Sequence, residues 1–224
     1  MIDVLGKELH TKVQSFKKWT EINHPEITEE NDNGEWCFCT EFDEMYSAAI
    51  DMIQKSSASK ANNQIISDLL YVIARDNECG NMIQVLNDYP DWFSLLCKKC
   101  LHSPYTNAKW QFAIELKNYR EKDDLKDLIY EFLATGDEYT ERMALQSLAY
   151  IAPNQAEEYA IRFWNREIYE YDEYQKIMVL HVLYHIHSES LNKYLEMAEK
   201  TNYTNLKINA SEIRKMTEAD NNMS

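Results

Sequence analysis

DEYTERMALQSLAYI, residues 137–151, carries apolar side chains at Ala144, Leu145, Leu148 and Ile151, which share one face of an α-helix. The same spacing stands before it at Phe112, Ala113, Leu116 and Tyr119, and after it at Val179, Leu180, Leu183 and Ile186. A second helical face follows each time: Leu125, Leu128, Ile129 and Phe132, then Ala156, Tyr159, Ala160 and Phe163, then Leu191, Tyr194, Leu195 and Ala198. Between Ser103 and Lys200 a two-helix pattern is therefore written three times, at shifts of roughly 31 to 35 residues, inside the range of helical repeat proteins. One such hairpin cannot bury its own apolar faces, so the copies must stack.

Punctuation agrees with that period. Ser103-Pro104 offers an N-cap with proline in the first turn, Thr135-Gly136 stops one helix ahead of Asp137, and Pro153 closes one helix and opens the next. Ser188 or Ser190 can cap the last second helix.

Working outward, Ile65, Ile66, Leu69 and Val72, followed by Met82, Val85, Leu86 and Tyr89, form a fourth and more divergent copy over 58–102. A helix from Asp91 to His102 is inserted before the clear copies. Residues 1–57 are expected to hold capping helices: Val4, Leu5, Leu9, Val13, Phe16 and Ile22 pattern one, and Phe42, Met45, Tyr46, Ala49 and Ile53 another. Between them Pro25 to Cys39 lacks helical period and reads as an acidic loop. Leu206, Ala210 and Ile213 predict a closing helix in 201–224, with Ala219 to Ser224 frayed. The expected fold is all-α: one domain of antiparallel helix pairs, about four repeats with caps at both ends, wound as a right-handed α-α superhelix.

Composition supports the class. Gly and Pro number four each, too few for the tight turns of a β-rich chain. Thirty-eight Asp and Glu against 23 Lys and Arg give a net charge of −15, which repels a phosphate backbone and favours a basic partner. Five cysteines make no disulfide framework in a chain of 224 residues, and reduced thiols imply a cytoplasmic setting. No run approaches the roughly 20 apolar residues of a membrane span, and 1–6, with Asp3, does not read as a signal peptide.

The columns resemble HEAT-type repeats. Asp137 to Ile151, with Arg142 near the start of the helix and Ala144 and Leu148 behind it, is similar to the first helix of that motif, and Asn107 to Leu116 resembles it with Lys109 in the Arg142 position. The resemblance covers 103–200 well and the first hundred residues poorly. It implies a superhelix with a concave face that holds other macromolecules, and it transfers no functional residue.

No catalytic signature is present. Cys97 and Cys100 form CxxC and Cys37 and Cys39 form CxC, a possible four-thiolate zinc set, but the first pair lies in an apolar helical pattern and reads as core. Whether the four converge is left open. The loop around Gly34 resembles a calcium loop only faintly, with Glu29 first and Thr40 twelfth where Asp and a bidentate Glu belong. His181 and His185 stand one helical turn apart beside the core stripe, a spacing that could serve a metal, while His187 takes the column position of Ala152, toward the interior. The structural reading is preferred for all three, and no cofactor or metal is expected.

The most suggestive stretch is Tyr169, Glu170, Tyr171, Asp172, Glu173 and Tyr174, which packs tyrosines and carboxylates into a connecting turn. It reads as a binding surface for a basic protein or, alternatively, as tyrosines covering seams while the acids stay in water. The expected function is a non-catalytic protein-interaction scaffold, with an inhibitor or immunity-type protein against a basic toxin or nuclease as a sharper form. The enzymatic alternative is a HEAT-like DNA glycosylase of the alkylation-repair type, which would need a basic stripe; between Gly136 and Gln175 nine acids face three bases, Arg142, Arg162 and Arg166.

Overall fold

The computed structural model describes residues 2–27, 36, 39–77, 79–168, 170 and 172–223, the last three as backbone alone. It is all-α, with no strand among the described residues. The acidic loop and the calcium-like turn fall largely outside the described residues, as does Cys37. Two compact units follow one another along the chain, Met1–Glu115 and Leu116–Ser224.

The first unit is built round α3, Asn63–Arg75, which is buried on nearly every side from Ile65 to Arg75. A helix apolar all round must be surrounded, and α3 is. On it pack α1 (Ile2–Asn23), α2 (Thr40–Lys55), α4 (Asn81–Asn87), α5 (Pro90–Cys100) and α6 (Thr106–Glu115). Gly6 allows the close approach of α1, because a Cβ there would meet Ile65 at 3.0 Å. Phe16, at zero exposure, gathers Trp19, Trp36, Phe42 and Tyr71 round its ring. Cys97 and Cys100 are fully buried in α5, and burial pushes the Cys100 thiol up to about 12. Ser103 ends α5 instead of opening α6: its hydroxyl donates to the Cys100 carbonyl at 2.8 Å, and α6 starts at Thr106.

In the second unit most of the column positions are core, with Leu128, Ile151, Tyr159 and Ile186 half-buried. Leu116, Tyr119, Ala144, Leu145, Leu148, Val179, Leu180 and Leu183 are buried, as are Leu125, Ile129, Phe132, Ala156, Ala160, Phe163 and Leu191 to Ala198 at their column positions. After a 3₁₀ turn at Leu116–Tyr119, the helix expected over 125–132 comes as two short pieces, α7 (Asp123–Lys126) and α8 (Leu128–Phe132), broken at Asp127, a residue type that competes poorly for helix interiors. Next come α9 (Glu138–Ile151), α10 (Pro153–Trp164), α11 (Asp172–His185), α12 (Leu191–Glu199) and α13 (Thr204–Met223), the last running helical through residues expected to fray. Contacts place α9, α11 and α13 in one row, with α10 against α9 and α11, and α12 against α11 and α13.

Caps follow the expected logic in part. Gly136 adopts φ 80°, and the Asp137 carboxylate accepts the Thr140 N–H at 2.8 Å to start α9. His187 departs from its expected interior position. It is exposed, at φ 52°, and closes α11 by a Schellman turn in which Ser188 N–H reaches the Leu183 carbonyl and His187 N–H the Tyr184 carbonyl. The left-handed backbone turns its side chain out of the column. Ser188 and Ser190 do not cap α12 with their side chains; both hydroxyls donate to Glu157 Oε1 of α10, at 2.8 and 2.6 Å, which lowers the Glu157 pKa.

Asp76, 7% exposed, accepts the Met82 N–H at 2.6 Å and so holds the start of α4. Burial raises its carboxyl pKa against the opposing backbone N–H bonds of Met82 and Asn81. A raised folded-state pKa means the folded chain binds the proton more tightly than the unfolded one, so this group's contribution grows as pH falls. Asp76→Asn keeps an acceptor and removes the charge. Wild type should gain stability relative to this variant as pH drops from 7 toward about 4, the ordinary carboxylate range, in urea titrations at each pH; a constant difference between the two would contradict it.

Candidate functional site

One face of the α9, α11 and α13 row is turned away from the core. On α9 it carries Tyr139, Arg142, Gln146 and Tyr150; on α11, Tyr174, Met178, His181 and His185; on α13, Asn209, Met216 and Asp220. Steps of three and four keep each set on one side of its helix, while the core columns take the other. Polar side chains would be the ordinary occupants of such a face. Instead Tyr139 (40%), Tyr150 (38%), Tyr174 (50%) and Met216 (46%) expose large apolar surface here.

Two ring clusters order this face. The Arg142 guanidinium lies 4.8 Å from the Tyr139 ring centre and 5.7 Å from that of Tyr174, bridging α9 and α11. Its Nε donates to Glu138 Oε1 at 2.8 Å, with the Glu138 side chain only 8% exposed. Burial raises the Glu138 pKa, and the Arg142 charge opposes that rise. At the other end Tyr150 and His185 pack with ring centres 4.0 Å apart. His181 Nε2 pairs with Asn209 Oδ1 at 3.0 Å, and the Tyr184 hydroxyl donates to Asp220 at 2.7 Å, a bond that raises the Tyr184 pKa and ties α13 to α11. At this second cluster lies a groove of about 340 Å³, lined by Gln146, Tyr150, Met178, His181, His185 and Met216 among others, with no carboxylate, Lys or Arg in its lining.

Of the stretch singled out in the sequence, Tyr169 and Tyr171 lie outside the described residues, and Glu170 is exposed. Asp172 and Glu173 are committed internally. Asp172 pairs with Lys176 and accepts from the Tyr203 hydroxyl at 3.1 Å, while Glu173 accepts the Leu206 N–H at 3.0 Å near the start of α13. Of the four described residues of that stretch, Tyr174 alone joins the ringed face. Tyr139, Tyr150, Met178, Asn209 and Met216 escaped sequence reasoning, although aromatic and thioether side chains just outside the core columns were the available signal. Among the described residues no group of three or more His, Cys, Asp or Glu converges as a metal site. No helix is long and apolar enough to cross a membrane, among the described residues. Compared with family models, curated proteins and solved structures, the chain matches none.

The Arg142 bridge rests on a nearly buried pair, so removing one partner leaves a charge stranded. Arg142→Met should destabilise the chain by about 3 kcal/mol, and adding Glu138→Gln should recover most of that loss. Urea unfolding of the single and double variants decides; equal stability of the two would show that Glu138 does not need its partner.

Proposed function

We propose that this chain is a non-catalytic interaction module that docks a basic protein on the face formed by α9, α11 and α13, built as a HEAT-like stack of helix pairs. The observation that carries the reading is the exposure of Tyr139, Tyr150, Tyr174 and Met216 on one face, with Tyr150 and Met216 lining its groove. Tyrosine supplies contact area at small entropic cost, and tyrosine and arginine dominate binding hot spots. The net charge of −15 steers a basic partner toward the chain and discourages an acidic one. Tyrosine faces complete the match by accepting cations, as the rings of Tyr139 and Tyr159 already accept Arg142 and Arg162, the latter 3.9 Å from the Tyr159 ring centre. For a phosphate backbone the face offers one guanidinium, already paired with Glu138.

The test is capture by the tagged chain from lysate at about 50 and 300 mM salt, since screening separates steering from packing. Wild type should retain a basic protein, less at high salt, and Met197→Ser, an exposed apolar change in α12, should retain it equally. Tyr150→Ala with Tyr174→Ala should weaken capture by roughly 30-fold or more, the cost of losing a hot spot. Undiminished capture by that double variant, or an acidic protein captured through the same tyrosines, would refute the proposal.

A further inference from the structure

We propose that His181 and His185 form a site for a transition-metal ion of the imidazole-binding class, Ni²⁺, Zn²⁺ or Cu²⁺, on the floor of this groove. The two residues are one turn apart on α11, so their Cβ atoms stand roughly 5–6 Å from each other on the same face. Both are exposed, and both line the same cavity. Each ring is also held by a neighbouring helix. His185 packs on Tyr150 of α9, and among the described residues neither of its ring nitrogens has a hydrogen-bond partner. His181 pairs through Nε2 with Asn209 Oδ1 of α13. An amide oxygen only accepts, so Nε2 carries the hydrogen, and the tautomer that binds a metal is the one with its lone pair at Nδ1. A ligating imidazole that donates its other N–H to a carbonyl is the arrangement that orients and strengthens metal-binding histidines.

The surroundings admit a cation. No Lys or Arg lines the cavity, Asp220 stands beside it on α13, and the chain as a whole is strongly acidic. Two imidazoles select borderline metals over Ca²⁺ and Mg²⁺, which take oxygen ligands. Water, or a side chain from a docked partner, completes the coordination. The inference does not depend on the docking proposal, because the protein alone supplies both ligands.

Ni²⁺ titrated into the full chain tests it, followed by calorimetry and by the ring-proton NMR signals of the six histidines. One ion should bind per chain, and substoichiometric Ni²⁺ should broaden the His181 and His185 signals first. His181→Ala and His185→Ala should each weaken binding at least about tenfold, and Asn209→Ala roughly tenfold, the usual cost of losing a residue that orients a ligand. His187→Ala and His102→Ala should leave it unchanged. Equal affinity in either ligand variant, or first broadening at other histidines or round the exposed Cys79, would overturn the proposal. Loss of Ni²⁺ binding with capture of a basic protein intact would remove the metal site and leave the docking face standing.

Discussion

Gln175 is fully buried, and the second unit depends on its amide. Its Nε2 donates to the backbone carbonyls of Phe163 and Arg166, and its Oε1 accepts two bonds from the Arg166 guanidinium, at 2.9 and 2.6 Å. Arg166 in turn pairs with Glu141, whose other oxygen accepts the Gly136 N–H at 2.8 Å. One polar chain thus joins the turn before α9, the body of α9, the end of α10 and the start of α11. Apolar burial drives these helices together but is indifferent to small rotations. The buried amide is not, because any shift that breaks its bonds leaves donors and acceptors dry.

That constraint sets the face. With α11 fixed against α9, the Tyr139, Arg142 and Tyr174 stack and the Tyr150–His185 pair fall opposite one another, and Tyr184 with Asp220 adds α13 to the same row. Cation–ring contacts also line the opposite side of the unit, with Lys176 5.9 Å from the Trp164 ring centre and 5.7 Å from that of Tyr203. The positive charges of this acidic unit are thus largely spent on internal rings and carboxylates. What remains exposed on the α9, α11 and α13 face is tyrosine, methionine and histidine surface, in a chain of excess negative charge.

The apolar columns were legible because a period near 3.6 reports burial directly, and Leu145, Leu148, Leu180 and Leu183 are indeed enclosed. Polar residues carry no such signature. Gln175 and Gln111 look like surface positions in the sequence, and only the carbonyls they satisfy reveal them as core. Asp172 and Glu173 mislead in the opposite direction, since neighbouring acids suggest solvent, yet each is bound to a residue at least four positions away. His187 shows the limit of column alignment: a left-handed residue ends the helix one step before the column would place it inside. The exposed face of α9, α11 and α13 was half visible, in His181, His185 and Tyr174, because a groove assembled from three helices has no contiguous sequence pattern.

The most direct test is the stability of Gln175→Leu, which keeps the volume and removes the amide. Urea unfolding should show a loss of about 3 kcal/mol with an unchanged denaturant slope, because buried carbonyls and a guanidinium lose their partners. A loss of less than about 0.5 kcal/mol would mean that apolar packing alone positions α11, and the polar chain could not be what builds the face.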